Sequence, residues 1–190
     1  VSVLAPFPVI DTPRLRLREL TETDADALYA ILGDVEVMRW WGSDPVQDSA
    51  AALALIRTFA CWRVLAHHPG LRWGIERRSD RSLIGTCGLF SWSQGWRYCV
   101  TGFELARAAQ GHGYMHEALA AAFDWGFAQM DLNRIEAHID PRNAPSLKLA
   151  ARLGFVEEGR LREIALWGGA QHDLLMLSLL RRDWLIRRAS

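Results

Sequence analysis

The sequence predicts one mixed α/β domain spanning residues 1–190. Three observations point there. A chain of this length closes one substantial hydrophobic core and leaves little for a second. Half of its residues are hydrophobic and 23% are charged, an ordinary globular mixture. Stretches that alternate with a two-residue period cluster beside a single strand–helix–strand run, which suits a mixed sheet better than a purely alternating one.

The elements follow in order. RLRLREL (residues 14–20) alternates strictly and predicts the first strand. Residues 24–32 predict a short helix, with Thr21, Thr23 or Asp24 as its cap, and residues 35–40 a second. The Ala- and Leu-rich run at 47–66 predicts a long helix, ended by Pro69-Gly70. Strands are expected at 71–77, 82–90 and 97–105, with turns at 79–81 and around Gly95. Met115, Ala118, Leu119, Ala122, Phe123, Phe127 and Met130 keep the i, i+3, i+4 spacing of one helix face. In NRIEAHID (133–140), Ile135, Ala137 and Ile139 share one strand face; Glu136, His138 and Asp140 share the other. A helix over 145–153 ends at Gly154, a residue suited to a left-handed cap. Strands at 155–164 and 171–179 flank Gly168-Gly169, and the tail 181–188 predicts a final helical turn or two.

Formal net charge is zero, which argues against broad electrostatic capture of nucleic acid or an anionic membrane. No apolar run reaches the length of a membrane span. The first twenty residues lack a positive region followed by an apolar stretch, so no signal peptide is expected. Cys61, Cys87 and Cys99 have no metal-ligand spacing; they are expected to be small buried hydrophobes in a reducing cytoplasm. The six histidines are scattered. No metal is expected, and His67-His68 reads as an exposed pair.

AQGHGYMHEAL (109–119) sets Gly111 and Gly113 directly before a helical pattern. The first turn of a helix carries N–H groups without partners and a partial positive charge. Glycines just before it let a ligand reach those donors. The pairing suits a phosphate, although alone it is also what a tight turn looks like. A dinucleotide fingerprint needs a third glycine where His116 stands, and the loop of nucleotide hydrolases needs Gly-Lys-Ser/Thr, which is absent.

GFELARAAQGHGYMHEAL (102–119) resembles the acetyl-CoA pyrophosphate loop of GNAT-superfamily N-acetyltransferases. NRIEAHIDPRNAPSLKLAARLGFVEEGRLRE (133–163) is similar to that family's next strand, its Asn-x-x-Ser helix start and its LGF helix end. DTPRLRLREL (11–20), LIGTCGL (83–89) and HDLLMLSLLRRDW (172–184) resemble the branch containing ribosomal-protein N-terminal (alanine/serine) acetyltransferases. The resemblance runs nearly the length of the chain. It implies a GNAT-like mixed, mostly antiparallel central sheet of about six to seven strands flanked by helices. It also implies acetyl transfer from acetyl-CoA to a primary amine. Two positions depart from the pattern: Ala108 stands where the family's loop often has Arg or Gln, and His112 where it often has Lys or Arg. Both leave the backbone donors in place, so affinity is expected to change rather than vanish.

By that resemblance the coenzyme site takes Gln110, Gly111, His112, Gly113, Tyr114 and Met115 from the loop, the main chain of Leu105, and Asn143. Transfer needs a neutral amine, a donor at the carbonyl oxygen and a leaving thiolate. An α-amine, with a pKa of about 7.7–8.0, is neutral at pH 7 for about 1–1.4 kcal/mol; a lysine costs about 4.6 kcal/mol. Glu104, at the end of the strand entering the loop, is the first candidate base, with Phe103 and Leu105 facing the opposite side. The alternative is an exposed carboxylate or a structural ion pair. His138, on the next strand, is the second candidate, the alternative being an ordinary surface or packed histidine. Ser146 reads as a donor to the leaving sulfur, a helix cap, or both. Lys148 and Arg152 read as a solvated helix face. Tyr114 either packs at the helix start or touches the pyrophosphate. A backbone N–H near Leu105 is expected to polarise the thioester oxygen.

In such proteins the N-terminal helices and the late hairpin shape the acceptor pocket. Trp40, Trp41, Trp62 and Trp167 fall there, for core packing or for an apolar cleft. The expected acceptor is a protein N-terminal α-amine. The alternatives are a small amine (amino acid, polyamine or antibiotic) and a non-catalytic acyl-CoA-binding module. A homodimer is compatible with the sequence, though no seam is legible in it.

Overall fold

The computed structural model describes residues 6–63 and 69–189, so the expected His67-His68 pair lies outside it. The first half of the chain forms β1 (Ile10–Asp11), β2 (Leu15–Glu19), α1 (Ala25–Leu32), α2 (Val35–Met38), α3 (Ser49–Trp62), β3 (Leu71–Arg77) and β4 (Ser82–Ser93). The second half forms β5 (Tyr98–Leu105), α4 (Tyr114–Gln129), β6 (Arg134–Ile139), α5 (Ala144–Leu153), β7 (Val156–Trp167), β8 (Ala170–Leu180) and α6 (Arg181–Ala189). One sheet holds all the strands in the order β1-β2-β3-β4-β5-β6-β8-β7. Every pair is antiparallel except β5–β6. The mixed, mostly antiparallel sheet matches expectation; its eight strands correct the expected six to seven. The additional strand is β1, whose two residues are too short to show any periodicity.

Local chemistry sets these elements. In β2, Leu15 and Leu17 are buried while Arg16 faces solvent, the alternation that pins a half-buried strand. Thr21 opens the short 3-10 turn that leads into α1, its N–H held by the Asp24 carboxylate at 2.8 Å. Asp48 caps α3 by accepting from the Ala51 N–H at 2.7 Å. α4 buries Met115, Ala118, Leu119, Ala122, Phe123 and Phe127 against sheet residues such as Leu17, Ile75, Leu89 and Ile135. Each large side chain so buried contributes about 1.5–3 kcal/mol. On the other face, α1 and α3 pack Leu28, Ile31, Leu32, Ile56 and Phe59 with Leu20 and Leu83.

Two of the three cysteines follow expectation. Cys87 and Cys99 are fully buried, and burial pushes the Cys87 thiol up to about 12, so both are inert hydrophobes. Cys61 corrects it: the residue sits on the outer side of α3 and is exposed.

The feature that creates the site is an interruption in the sheet. β5 and β6 pair in parallel only from Tyr98 to Val100 with Arg134 to Glu136. Both strands continue, β5 to Leu105 and β6 to Ile139, without pairing to each other. The β6-facing edge of β5 is therefore left with strand N–H and C=O groups that no strand satisfies. On its other side β5 stays tightly held by β4. A Cβ on Gly85 would lie 2.3 Å from the Glu104 carbonyl oxygen, so only glycine lets the two strands approach here.

Candidate active site

A cleft of about 580 Å3 opens where β5 and β6 part. Its walls are Phe103, Glu104 and Leu105 from β5, Gln110, Gly111 and Gly113 from the loop with the start of α4, the start of α5 from Asn143, and Glu36, Val37, Arg39, Trp40 and Trp41 from the N-terminal helical region.

The loop has the geometry its sequence predicts. Gly111 and Gly113 sit at φ +80° and +78°, in the left-handed region that a side chain resists. Nothing lies within 4 Å of where a Gly111 Cβ would be. The N–H groups from Gly111 to His116 donate to no acceptor among the described residues; the first amide of the series with a partner is Glu117, bonded to the Gly113 carbonyl. Six consecutive main-chain donors are thus left open at the start of a 16-residue helix, beside the cleft, and the helix dipole adds partial positive charge.

The side chains of the loop behave less simply. Gln110 turns back, its Nε2 donating to the Leu105 carbonyl at 3.0 Å, and so fixes the loop to the strand end. His112 Nδ1 lies 2.8 Å from the Gln110 carbonyl, and its ring stacks on Tyr114. Met115 is buried in the core.

Sequence reading missed Arg14. This residue precedes β2, reaches over the loop, and donates to the His112 carbonyl at 2.9 Å. Its guanidinium lies 4.6 Å from the Tyr114 ring centroid and pairs with Glu117 at 2.6 Å. Glu117 also accepts from Thr12 Oγ1 at 2.6 Å and from the Arg14 N–H at 2.9 Å. Burial alone would raise the Glu117 carboxyl; the Thr12 and Arg14 donors outweigh it and hold the group below its ordinary range. A cation absent from the loop itself is thus supplied by a residue about a hundred positions away. The only sequence signal was the alternation RLRL, which marks Arg14 as exposed and nothing more.

At the other end of the cleft Glu104 is buried, 5% exposed. Its Oε2 accepts from Arg72 and, at 2.8 Å, from the Trp41 indole; its Oε1 accepts from Thr86. Arg72 is itself buried, donates to Thr86 at 2.7 Å, and lies over the rings of Trp41 and Phe59. Three of about four lone-pair directions on Glu104 are taken. Leu105 packs into the opposite core cluster, as the strand alternation required. Arg72, Thr86 and Trp41 were not foreseen, because no local pattern links residues 41, 72, 86 and 104.

Ser146 and Asn143 both line the cleft. The Asn143 side chain accepts from the Ser146 N–H at 3.2 Å, so the cap of α5 is Asn143, and the Ser146 hydroxyl makes no bond to a described residue. His138 is not brought to this cleft: it lies on the exposed face of β6, 3.5 Å from Glu136. Of the four tryptophans singled out, Trp40 and Trp41 line the cleft, and Trp62 packs against Phe59 and Phe90. Trp167 stacks on His172 at the β7–β8 hairpin. His172 in turn is 3.0 Å from Arg142, which pairs with buried Asp140 at 2.7 Å and lies over Trp40. Among the described residues no cluster of three or more potential metal ligands occurs, and no helix is long and apolar enough to cross a membrane.

Comparison with known proteins agrees with this geometry. Residues 14–156 match the acetyltransferase (GNAT) domain. The uncharacterized N-acetyltransferase YoaA of Bacillus subtilis is 33% identical over 92% of this chain and 98% of its own. The ribosomal protein uS5 alanine N-acetyltransferase of Escherichia coli is 31% identical over 92% of each chain. Among solved structures, spermidine N-acetyltransferase from Vibrio cholerae, in complex with CoA and spermine, superposes with a TM-score of 0.79 at 24% identity, covering 92% of this chain and 99% of that one. The chain belongs to the GNAT family of N-acetyltransferases.

Proposed function

We propose that this acetyl-CoA-dependent N-acetyltransferase acts on the α-amine of a protein N-terminus. The observation that carries the reading is the joining of two half-sites in one cleft: six free amides at one end, and a buried, ion-paired carboxylate beside tryptophans at the other. Acetyl-CoA supplies an acyl thioester and a diphosphate handle; the residues fit both.

The amides from Gly111 to His116 hold the diphosphate, and the free edge of β5 near Phe103 and Leu105 holds the amide-bearing arm and polarises the carbonyl oxygen. Asn143 shapes the wall facing that arm. Glu104 uses its remaining lone pair to accept from the incoming amine and takes its proton as the C–N bond forms. Its three fixed donors hold it as a positioned acceptor, and an α-amine asks little more, since losing its proton at pH 7 costs only about 1–1.4 kcal/mol. Ser146, whose hydroxyl has no partner among the described residues, donates to the sulfur as the C–S bond breaks. His138 has no part in this scheme, since it does not line the cleft.

The acceptor end also bears on substrate charge. Glu36 pairs with Arg39, Glu104 with Arg72, and Asp140 with Arg142. Trp40 lies between the Arg39 and Arg142 guanidiniums. The two carboxylates that line the cleft, Glu36 and Glu104, are thus both ion-paired, which leaves neither free to neutralise the several charges of a polyamine, whereas a single α-ammonium beside an apolar or peptide body fits. The similarity to the ribosomal-protein enzyme agrees with this.

The test is thiol release from acetyl-CoA with peptides starting Ala or Ser, free amino acids and spermidine as acceptors. The expected order is peptide first, by at least about tenfold in kcat/KM over spermidine. Spermidine as the better acceptor overturns the substrate class, and binding of acetyl-CoA with no release for any acceptor favours the non-catalytic module.

A further inference from the structure

Glu104 is held from two directions. Thr86 stands opposite it in the β4–β5 register, and Arg72 lies two residues from Gly74, which stands opposite Thr86 on β3. The three side chains therefore share one face of the sheet. They close a ring: Arg72 Nε donates to Thr86 Oγ1 at 2.7 Å, Thr86 donates to Glu104 Oε1, and Arg72 Nη2 donates to Glu104 Oε2. Three neighbouring strands hold that ring, so the sheet alone fixes where the carboxylate lies.

The remaining donor comes from outside the sheet. Trp41 follows α2, in a stretch from 39 to 48 that forms no helix or strand. Its side chain lines the cleft and packs against the cluster beneath α1 and α3. The indole N–H donates to Glu104 Oε2 at 2.8 Å, and the Arg72 guanidinium lies 5.5 Å from the ring centroid. One N–H thus ties the N-terminal wall of the cleft to the carboxylate.

That N–H makes the two carboxylate oxygens unequal. Each has two lone pairs. On Oε2 both are taken, by Arg72 and Trp41; on Oε1 only one is, by Thr86. Without the indole, Oε2 offers a second direction in which an amine or a water molecule binds. A reacting group misplaced by about 1 Å costs about 100-fold in rate, so closing the wrong oxygen bears directly on turnover. The sheet ring already keeps the carboxylate paired, and the indole adds selection between its oxygens.

We propose that Trp41 is a positioning residue: its indole N–H closes Oε2, so that the acceptor amine is received at the open lone pair of Oε1. The assignment rests on the part given to Glu104 above. It adds which oxygen takes the amine and which residue decides it.

The test is thiol release from acetyl-CoA with a peptide beginning Ala, for the wild type, Trp41→Phe, Trp41→3-benzothienylalanine and Glu104→Gln. The benzothienyl ring fills nearly the space of the indole and lacks only its N–H, so it separates the hydrogen bond from packing. Both Trp41 variants should lose about tenfold in kcat, with the peptide KM within about twofold of wild type. Glu104→Gln should lose at least as much. Full kcat in the benzothienyl variant overturns the proposal, because the ring then serves by packing alone. So does a raised peptide KM at unchanged kcat, which marks Trp41 as a pocket wall and nothing more. Undiminished kcat in Glu104→Gln is a different result: it removes the carboxylate from the reaction scheme, and the role of Trp41 with it.

Discussion

The two ends of the cleft solve opposite problems with opposite materials. At the proposed coenzyme end, six main-chain amides, from Gly111 to His116, bond to no acceptor among the described residues. At the acceptor end almost every polar group is satisfied internally, with Glu104 held by Arg72, Thr86 and Trp41. An exposed donor row loses little by waiting, because water can solvate it. A buried carboxylate cannot wait, because desolvation without a partner costs several kcal/mol. One end is therefore adaptable in sequence and costs little stability, while the other is rigid and contributes to the fold.

The largest expected effect breaks the rigid end. Glu104→Leu leaves the Arg72 guanidinium buried and unpaired, and should lower stability by about 3–5 kcal/mol in chemical denaturation. Adding Arg72→Met should recover much of that loss, because the stranded charge goes with it. If Glu104→Leu alone costs less than about 1 kcal/mol, the contrast between the two ends fails.

The coenzyme end should show the reverse. Gly111→Asp places a carboxylate among the free amides, in a space with no neighbouring atom and at a φ that Asp tolerates. Acetyl-CoA affinity should fall about 100-fold, read by titration, which is about 2.7 kcal/mol. The melting temperature should change by only a few degrees. Ser146→Ala sharpens the picture between the ends: kcat should drop by about tenfold with little change in the KM for acetyl-CoA, as expected of a group acting on the departing sulfur. An unchanged kcat removes that role.

The smallest effect concerns the Arg14 brace. Because the Glu117 carboxyl lies below its ordinary range in the folded protein, its stabilisation is full above about pH 4.3 and is lost as pH falls through the lower folded value. Glu117→Gln should therefore be less stable than wild type by about 1 kcal/mol at neutral pH, with the gap closing in acid. A gap that is constant from pH 7 to 3 means that Glu117 acts only as a hydrogen-bond acceptor.

The same contrast explains what could be read from the chain alone. The coenzyme end lies within residues 105–119 and the start of α5, so glycine spacing and helix periodicity expose it directly. The acceptor end is assembled from residues 41, 72, 86 and 104, on four separate elements, and no period connects them. Glu104 was visible as a strand-end carboxylate; that it would be enclosed by an arginine and an indole was not. His138 shows the opposite limit. Alternation placed it on the same strand face as Glu136, correctly, but no residue of β6 lines the cleft, which alternation could not tell.

By itself, then, the sequence determined the elements, the two-glycine loop that opens α4 and the family, because each is written in contiguous residues with a fixed period or a fixed turn. Tertiary structure alone decided the eighth strand, the Arg14 brace and the enclosure of Glu104. Those depend on where separate elements end and how closely they pack, distances that no local propensity encodes.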